Sequence, residues 1–170
     1  MEKSAQLYDE GLEKYPLRDV ILGNATFAAL LAAGTASCWL ISPVFGVAYL
    51  VVFAALTYGL LRRLTCTRCY CYGKRCGSGW GLLSAVCFGR RPLEEFNQSP
   101  GVKLAPLVYG LMMLVPLIAL AVLISQHATT TLLVLLAFLL AMAFHSSGPG
   151  RRRSCSACKM RLFCKGSAAK

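Results

Sequence analysis

Two cysteine-rich stretches carry the chemistry that this sequence is equipped to perform. The first lies in the middle of the chain and the second near its C-terminus, and together they hold seven of the nine cysteines. These seven are Cys66, Cys69, Cys71, Cys76, Cys155, Cys158 and Cys164. Each stretch begins with a Cys-x2-Cys pair, whose short spacer lets both thiolates bind one ion. The spacing therefore predicts that the seven thiols are metal ligands.

The two Cys-x2-Cys pairs together supply the four thiolates of a tetrahedral zinc site. They are Cys66 with Cys69 and Cys155 with Cys158. Paired zinc ligands are usually separated by about fifteen to twenty residues, whereas eighty-five residues stand between Cys69 and Cys155. We therefore expect a composite zinc site, mainly structural, where the fold brings the two stretches together. The other three thiols allow either a second site or one larger site.

Redox chemistry is the alternative use of these thiols. An iron–sulfur cluster also takes four thiolates, although the spacing differs from the Cys-x2-Cys-x2-Cys-x3-Cys run of bacterial ferredoxins. Thiol–disulfide exchange is also open, because neighbouring arginines and lysines lower the pKa of a thiol and favour the thiolate. The alternative to a zinc protein is therefore a membrane-associated redox protein.

The sequence lacks the short motifs of several common enzyme classes. It contains no HExxH pattern of zinc proteases and no GxxxxGK[ST] phosphate-binding loop. Its apolar segments contain no Asp, Glu, Lys or Arg, so an ion or proton relay through a bilayer is unsupported. These features favour a scaffold or accessory subunit over an enzyme.

Long apolar segments flank the cysteine stretches and must position them. The chain is 56% hydrophobic, has a mean hydropathy of +0.58 and carries only 15% charged residues, against about a quarter in soluble domains. Four segments are apolar enough to be membrane spans, which need about 20 residues. They are residues 20–41, 44–61, 104–125 and 131–145. We predict an all-α integral membrane protein whose four transmembrane helices form two hairpins.

This prediction divides the chain into five parts. They are an N-terminal amphipathic segment (1–19), a first transmembrane hairpin (20–61), a cysteine-rich loop (62–103), a second transmembrane hairpin (104–147) and a cysteine-rich basic tail (148–170). Apolar residues recur at helical spacing through residues 1–16, and Pro16 follows them. We expect a short amphipathic helix there, lying on the membrane surface.

The distribution of basic residues sets the orientation. The central loop contains eight Lys and Arg residues and the tail seven, whereas the two opposite loops contain none. The positive-inside rule therefore places the loop, the tail and both termini in the cytoplasm of a multi-pass protein of the cell membrane. Thiols in that compartment are kept reduced, which argues against structural disulfides and favours metal or redox chemistry.

The net charge of +11 bears on the partners of the protein. The basic residues lie next to the apolar spans, so anionic lipid headgroups on the cytoplasmic face explain them better than nucleic acid does. The lipid bilayer is therefore the principal partner that we expect. A protein partner or a second copy of the chain is compatible with the same pattern.

The two halves of the chain share one order of features. Each has two spans, then arginines, then a cysteine motif, which reads Cys-x2-Cys-x6-Cys-Gly-Ser in the first half and Cys-x2-Cys-x5-Cys-Lys-Gly-Ser in the second. Both halves begin and end on the same side, so the pattern predicts a parallel internal repeat about an axis along the membrane normal. Such a repeat would bring the two motifs together.

The motifs also carry a family resemblance. The run Tyr72-Gly-Lys-Arg-Cys76, which follows spaced cysteines, combines with a terminal Cys-x2-Cys-x5-Cys. Together they resemble a group of small prokaryotic, cysteine-rich, four-span membrane proteins of unknown activity. Lys165 stands where those proteins often have a proline. The resemblance implies the four-span architecture and implies no reaction.

Overall fold

The computed structural model describes residues 6–169, and within them it is all-helical apart from turns and one isolated bridge. Four helices are long and apolar enough to cross a membrane. They are Leu17–Trp39, Pro43–Arg68, Pro100–Gln126 and Thr130–Ser156. The prediction of an all-helical protein with four candidate membrane helices is confirmed.

Seven α-helices follow one another in residues 6–169. They are α1 (Leu17–Trp39), α2 (Pro43–Ala54), α3 (Arg62–Thr65), α4 (Trp80–Cys87), α5 (Pro100–Gln126), α6 (Thr130–Ser147) and α7 (Pro149–Ser156). A π-helical segment, Ala55–Leu61, joins α2 to α3 without a break. A 3-10 turn, Cys66–Arg68, then leads into the cysteine-rich loop.

Local signals explain where several helices begin and end. Helix α5 starts four residues before the predicted span, because Pro100 suits the first helical position and the Ser99 hydroxyl accepts a hydrogen bond from Gly101 N–H at 3.2 Å. Thr129 caps α6 in the same way, through Leu132 N–H. Gly148 ends α6, and Pro149 begins the short α7.

The helices meet through two apolar clusters. Helix α1 contacts α2, α5 and α6, and α5 also contacts α6. One cluster includes the buried residues Leu31 and Phe53, and the other includes Leu120 and Leu139. The outward faces are apolar as well, with Val44 78% exposed, as is typical of helices that contact lipid. The core therefore lies between helices, and the internal repeat stays a prediction.

Residues 6–16, which we name the N-terminal strap, differ from the structure predicted for them. The expected amphipathic helix is wrong over this range, while residues 1–5 lie outside the described part. The strap donates backbone hydrogen bonds from Tyr8 to Lys159 and from Leu12 to Ala157, both at 2.8 Å. These two amides donate to carbonyls of the tail, whereas in an α-helix they would donate to carbonyls four residues earlier in the chain. The strap, central loop and tail therefore lie at one end of the helices.

Candidate functional site

Buried Arg68 anchors the start of the central loop. Its guanidinium donates to the Leu64 carbonyl at 3.0 Å and to the Glu95 carboxylate at 3.1 Å, and its side chain is only 9% exposed. A charge buried to this degree requires such partners. These bonds fix the 3-10 turn from which the first cysteine motif leaves the helix.

A close approach of two backbone segments shapes the loop around Cys71. Lys74 N–H donates to the Cys71 carbonyl, and Gly73 N–H donates to the Gly81 carbonyl, both at 2.9 Å. A side chain at position 81 would overlap the carbonyl oxygens of Cys71 and Lys74. Glycine at 81 is therefore required for the fold of this loop, which leaves Cys71 only 2% exposed.

Met160 joins the tail to the central loop. Its Sδ lies 3.3 Å from Cys69 Sγ and accepts a hydrogen bond from Tyr70 N–H at 3.2 Å. The Met160 side chain is 2% exposed, so its thioether is surrounded by protein. The two cysteine motifs, far apart in sequence, are thus in direct sulfur–sulfur contact.

Four sulfur-bearing side chains form what we name the sulfur cluster: Cys69, Cys71, Cys158 and Met160. The Cys69 thiol donates to Met160 Sδ, and the thiols of Cys69 and Cys71 shift each other's pKa in opposite directions. The Cys71 amide acts to lower the pKa of Cys69, and the Met160 amide acts to lower that of Cys158, in each case against the effect of burial. In both cases the amide lies two residues after the cysteine. An amide dipole beside the sulfur favours the negatively charged thiolate, which is the form that binds metal.

The sulfur cluster separates the proton affinities of its thiols. The neighbouring Cys69 thiol lowers the pKa of Cys71, and the Lys74 ammonium lowers it further against the effect of burial. The Cys71 thiol and burial together raise the pKa of Cys69. Burial raises the pKa of Cys158 to about 11. Cys71 is therefore the thiol of the cluster that ionises most readily.

Tyr15 of the strap covers the cluster. Its hydroxyl donates to the Ser154 carbonyl at 2.7 Å, its amide donates to the Arg75 carbonyl at 2.9 Å, and the residue is 5% exposed. Burial raises the pKa of Tyr15 above its usual range, and negative charge on Cys158 and Cys71 raises it further. One buried side chain thus links the strap to both cysteine motifs.

Glu13 fastens the outer edge of the strap. Its carboxylate accepts a hydrogen bond from Tyr70 at 3.0 Å and lies 3.5 Å from the Lys74 ammonium and 3.9 Å from that of Lys159. The Tyr70 hydrogen bond and then the Lys74 charge lower the pKa of Glu13. The strap is thus held by the loop and the tail together.

Two predicted ligands of the central loop have other direct contacts. Cys66 Sγ lies 4.0 Å from the guanidinium of Arg62, which stacks 4.4 Å from the centre of the Trp80 ring. Cys76 Sγ lies 3.5 Å from the Ser78 hydroxyl. Negative charge on Cys66 nonetheless acts on Cys69. The Cys66 region therefore borders the sulfur cluster and has its own polar surroundings.

Other cysteines shift the pKa of Cys158. Charges on Cys155, Cys164 and Cys71 all act on it. Across residues 6–169, however, no three Cys, His, Asp or Glu side chains are arranged to hold a metal ion. The zinc site predicted from Cys66, Cys69, Cys155 and Cys158 therefore stays a prediction.

Sequence reasoning missed two members of this site. Met160 lies inside the tail motif, two residues after Cys158. A methionine placed among cysteines was the sequence feature that could have identified it as a member of the site. Tyr15 and the rest of the strap gave no comparable signal, because their partners are more than fifty residues away in sequence. Comparison with known proteins adds no further guidance, since no family model, curated protein or solved structure matches this chain.

Proposed function

We propose that this chain is a multi-pass membrane protein that binds a metal ion through cysteines of its central loop and tail. It acts as a scaffold or accessory subunit, and the ion fastens the ends of two repeated helical hairpins. The observation that carries the proposal is the contact of Cys69 with Met160, which joins the two motifs at 3.3 Å.

Backbone hydrogen bonds support metal binding at this contact. The Tyr70 amide donates to Met160 Sδ at 3.2 Å, and the amides of Cys71 and Met160 act to lower the pKa values of Cys69 and Cys158. Such outer-shell donors orient ligands and stabilise the charge that an ion requires. The sequence favours zinc as the ion, with all seven candidate cysteines available to complete its coordination.

Charge supports a cytoplasmic location for the site. The central loop and the tail contain fifteen of the eighteen Lys and Arg residues. The positive-inside rule and anionic lipid headgroups both favour such a surface on the cytoplasmic side. Thiols are reduced there, as metal ligation requires.

Metal content and spectroscopy of the intact chain test the proposal. The protein is purified in detergent without oxygen and analysed for bound elements, optical absorption and electron paramagnetic resonance. We expect bound metal with no iron and no resonance of an iron–sulfur cluster. A brown, resonance-active sample would support the redox alternative, and a metal-free sample that retains reduced thiols would refute metal binding.

Thiol–disulfide exchange is a second candidate, which the lowered pKa of Cys71 beside Cys69 favours. In this reaction two thiols lose two protons and two electrons and form one disulfide, while a disulfide of a partner protein gains them and becomes two thiols. Trapping distinguishes the candidates. If Cys69→Ser retains metal but accumulates a mixed disulfide through Cys71, exchange is the function.

A further inference from the structure

We propose that a basic cleft in the central loop binds a phosphate monoester. The cleft, which we name the arginine cleft, is lined by the side chains of Arg63, Arg90 and Arg91 and includes Cys87 and Gly89. Its volume is about 360 Å³, which lies within the range of small-ligand pockets. None of the seven candidate metal ligands lines it, so the site is separate from the proposed metal site.

The charge of the arginine cleft is positive and uncompensated. No Asp or Glu lines it among the described residues. Across residues 6–169, the guanidiniums of Arg63, Arg90 and Arg91 form no ion pair or hydrogen bond, and all three residues are exposed. Arg68, in contrast, is buried and paired with Glu95. The three guanidiniums are therefore available to an anion from outside the chain.

The backbone that carries the three arginines is fixed by hydrogen bonds. Arg63 belongs to α3, and the other two arginines follow α4. The Arg91 amide donates to the Thr67 carbonyl at 2.9 Å, and the Thr67 hydroxyl donates to the Arg63 carbonyl at 2.7 Å. The Tyr72 hydroxyl also holds the Phe88 carbonyl at 2.7 Å. A fixed frame with free side-chain termini reduces the ordering cost of binding a ligand.

The number and type of the cationic groups point to phosphate. The planar guanidinium of arginine donates two parallel hydrogen bonds to a phosphate group. A phosphate monoester carries a charge of about −1.5 to −2 at pH 7, whereas a carboxylate carries −1. Three converging arginines therefore match a phosphate monoester better than they match a carboxylate.

The surroundings of the cleft favour a lipid headgroup as the source of the phosphate. Helix α4, which precedes Arg90, exposes the apolar side chains of Leu82, Leu83 and Val86, the last of which is 84% exposed. Exposed apolar residues beside basic ones are typical of segments at a membrane interface. Basic pockets next to membrane helices on the cytoplasmic side bind anionic headgroups. A soluble phosphate ester presents the same chemistry, so the experiment compares the two sources.

Calorimetric titration of the full-length chain in a neutral detergent tests the inference. The probes are dihexanoyl phosphatidic acid and glycerol 3-phosphate, which share the phosphate monoester and differ in the acyl chains. We expect one phosphatidic acid to bind per chain. Tighter binding of the lipid would identify a lipid headgroup as the source, whereas equal affinities would identify a soluble phosphate ester, and both results support the site.

Arginine variants locate the binding on the cleft. We expect Arg63→Gln and Arg90→Gln each to weaken binding by about tenfold or more, because each removes charge-assisted hydrogen bonds. Arg152→Gln removes the same charge from exposed α7 and should keep wild-type affinity. Equal losses in all three variants would show that overall charge attracts the ligand and would overturn the inference. Absence of binding of either probe to the wild type would also overturn it, while metal content measured on the same sample tests the metal site independently.

Gly89 allows the cleft to be blocked without removing an arginine. Nothing lies within 4 Å of a methyl group at this position, and its φ is not positive, so a side chain fits there. Gly89→Asp should weaken binding by about tenfold or more, because its carboxylate competes for the guanidiniums. Gly89→Asn has the same size without the charge and is the matched control. Equal affinities of the two variants would contradict the inference.

Protection of Cys87 provides a test that needs no variant. Its thiol is exposed and lines the cleft. Saturating phosphatidic acid should slow the alkylation of Cys87 and leave the rate at partly exposed Cys155 unchanged. An unchanged Cys87 rate would contradict binding in the arginine cleft.

Discussion

Tyr15 joins the strap to the central loop and to the tail. It is 5% exposed, donates to the Ser154 carbonyl and is influenced by charge on Cys158 and Cys71. Since it belongs to the strap, its removal should open the sulfur cluster without altering any sulfur. Its role can therefore be tested separately from metal binding.

We expect Tyr15→Ala to expose Cys71, because it removes a buried aromatic ring beside the cluster. The loss should lower the free energy of unfolding by about 3–5 kcal/mol. Tyr15→Phe removes one hydrogen bond and should cost about 0.5–1.5 kcal/mol. The measurement is the alkylation rate of each cysteine, followed by mass spectrometry. Cys87 is already exposed and serves as an internal control whose rate stays constant. An unchanged Cys71 rate in a folded Tyr15→Ala protein would show that the strap does not cover the cluster.

Glu13 makes the attachment of the strap depend on pH. Its pKa is lowered in the folded chain, so its contribution is fully present above the unfolded pKa of about 4.3 and is lost as pH falls through the folded pKa. We expect the thermal midpoint of Glu13→Gln to lie below wild type at pH 6 and to match it at about pH 3. A difference that persists in acid would contradict the assigned ion pairs.

At the residue scale, cysteine spacing located the two regions but not all of their members, and the role of the cysteines as metal ligands stays a prediction. The Cys-x2-Cys pairs marked the two regions that meet in the fold, whereas Met160 was overlooked because a methionine becomes a member of such a site only through its position. Its contact with Cys69 spans ninety-one residues of sequence. No local pattern encodes such a distance.

At the scale of elements, the helix Pro43–Arg68 and α5 approach each other closely near the site. A methyl group at Gly101 would lie 2.5 Å from Thr65 Oγ1 and 2.6 Å from Leu64 Cβ. Helix α5 therefore approaches α3 closely only because residue 101 has no side chain. This contact places the start of α5 beside the turn that carries Cys66.

Two glycines of the same helix provide a matched test of this contact. Nothing lies within 4 Å of a methyl at Gly110, so Gly110→Ala should be neutral or stabilise by up to about 1 kcal/mol through helix propensity. Gly101→Ala should destabilise by about 1–3 kcal/mol, because the contact is overpacked. Thermal midpoints in one detergent check both values. Equal midpoints for the two variants would contradict the close approach of α5 to α3.

Elements were predicted well where one physical signal dominates. Hydropathy predicted four long apolar helices, and the structure contains four that are long and apolar enough to cross a membrane. The prediction of a helix in the strap was wrong because no single signal dominates there. Hydrogen bonds from Tyr8 and Leu12 to the tail outweigh the helical spacing of its apolar residues. The π-helical segment Ala55–Leu61 was also unforeseen.

At the scale of the whole molecule, the strap, loop and tail meet at one end of the helices. Contacts of Tyr8 with Lys159, of Tyr15 with Arg75 and of Cys69 with Met160 tie the three segments together. The internal repeat predicted from the sequence was the reason to expect the two motifs to lie close together. The sequence did not anticipate the strap that covers them.

Orientation is the prediction that belongs to the whole molecule. We expect a reporter fused to the C-terminus to behave as cytoplasmic, with a fluorescent protein bright and alkaline phosphatase inactive, because the basic residues lie at that end. A fusion within the turn between α1 and α2 should give the opposite result. Phosphatase activity from the C-terminal fusion would place the thiols in an oxidising compartment and undo the metal proposal.

Metal content of paired cysteine variants tests the central claim most directly. The claim is that one site draws ligands from both motifs, so Cys69→Ser and Cys158→Ser should each remove most of the bound metal from the purified chain. Cys87→Ser, whose thiol is exposed and outside the cluster, should keep wild-type content. If both cluster variants retain full metal content, or if the intact chain binds none, the shared site does not exist.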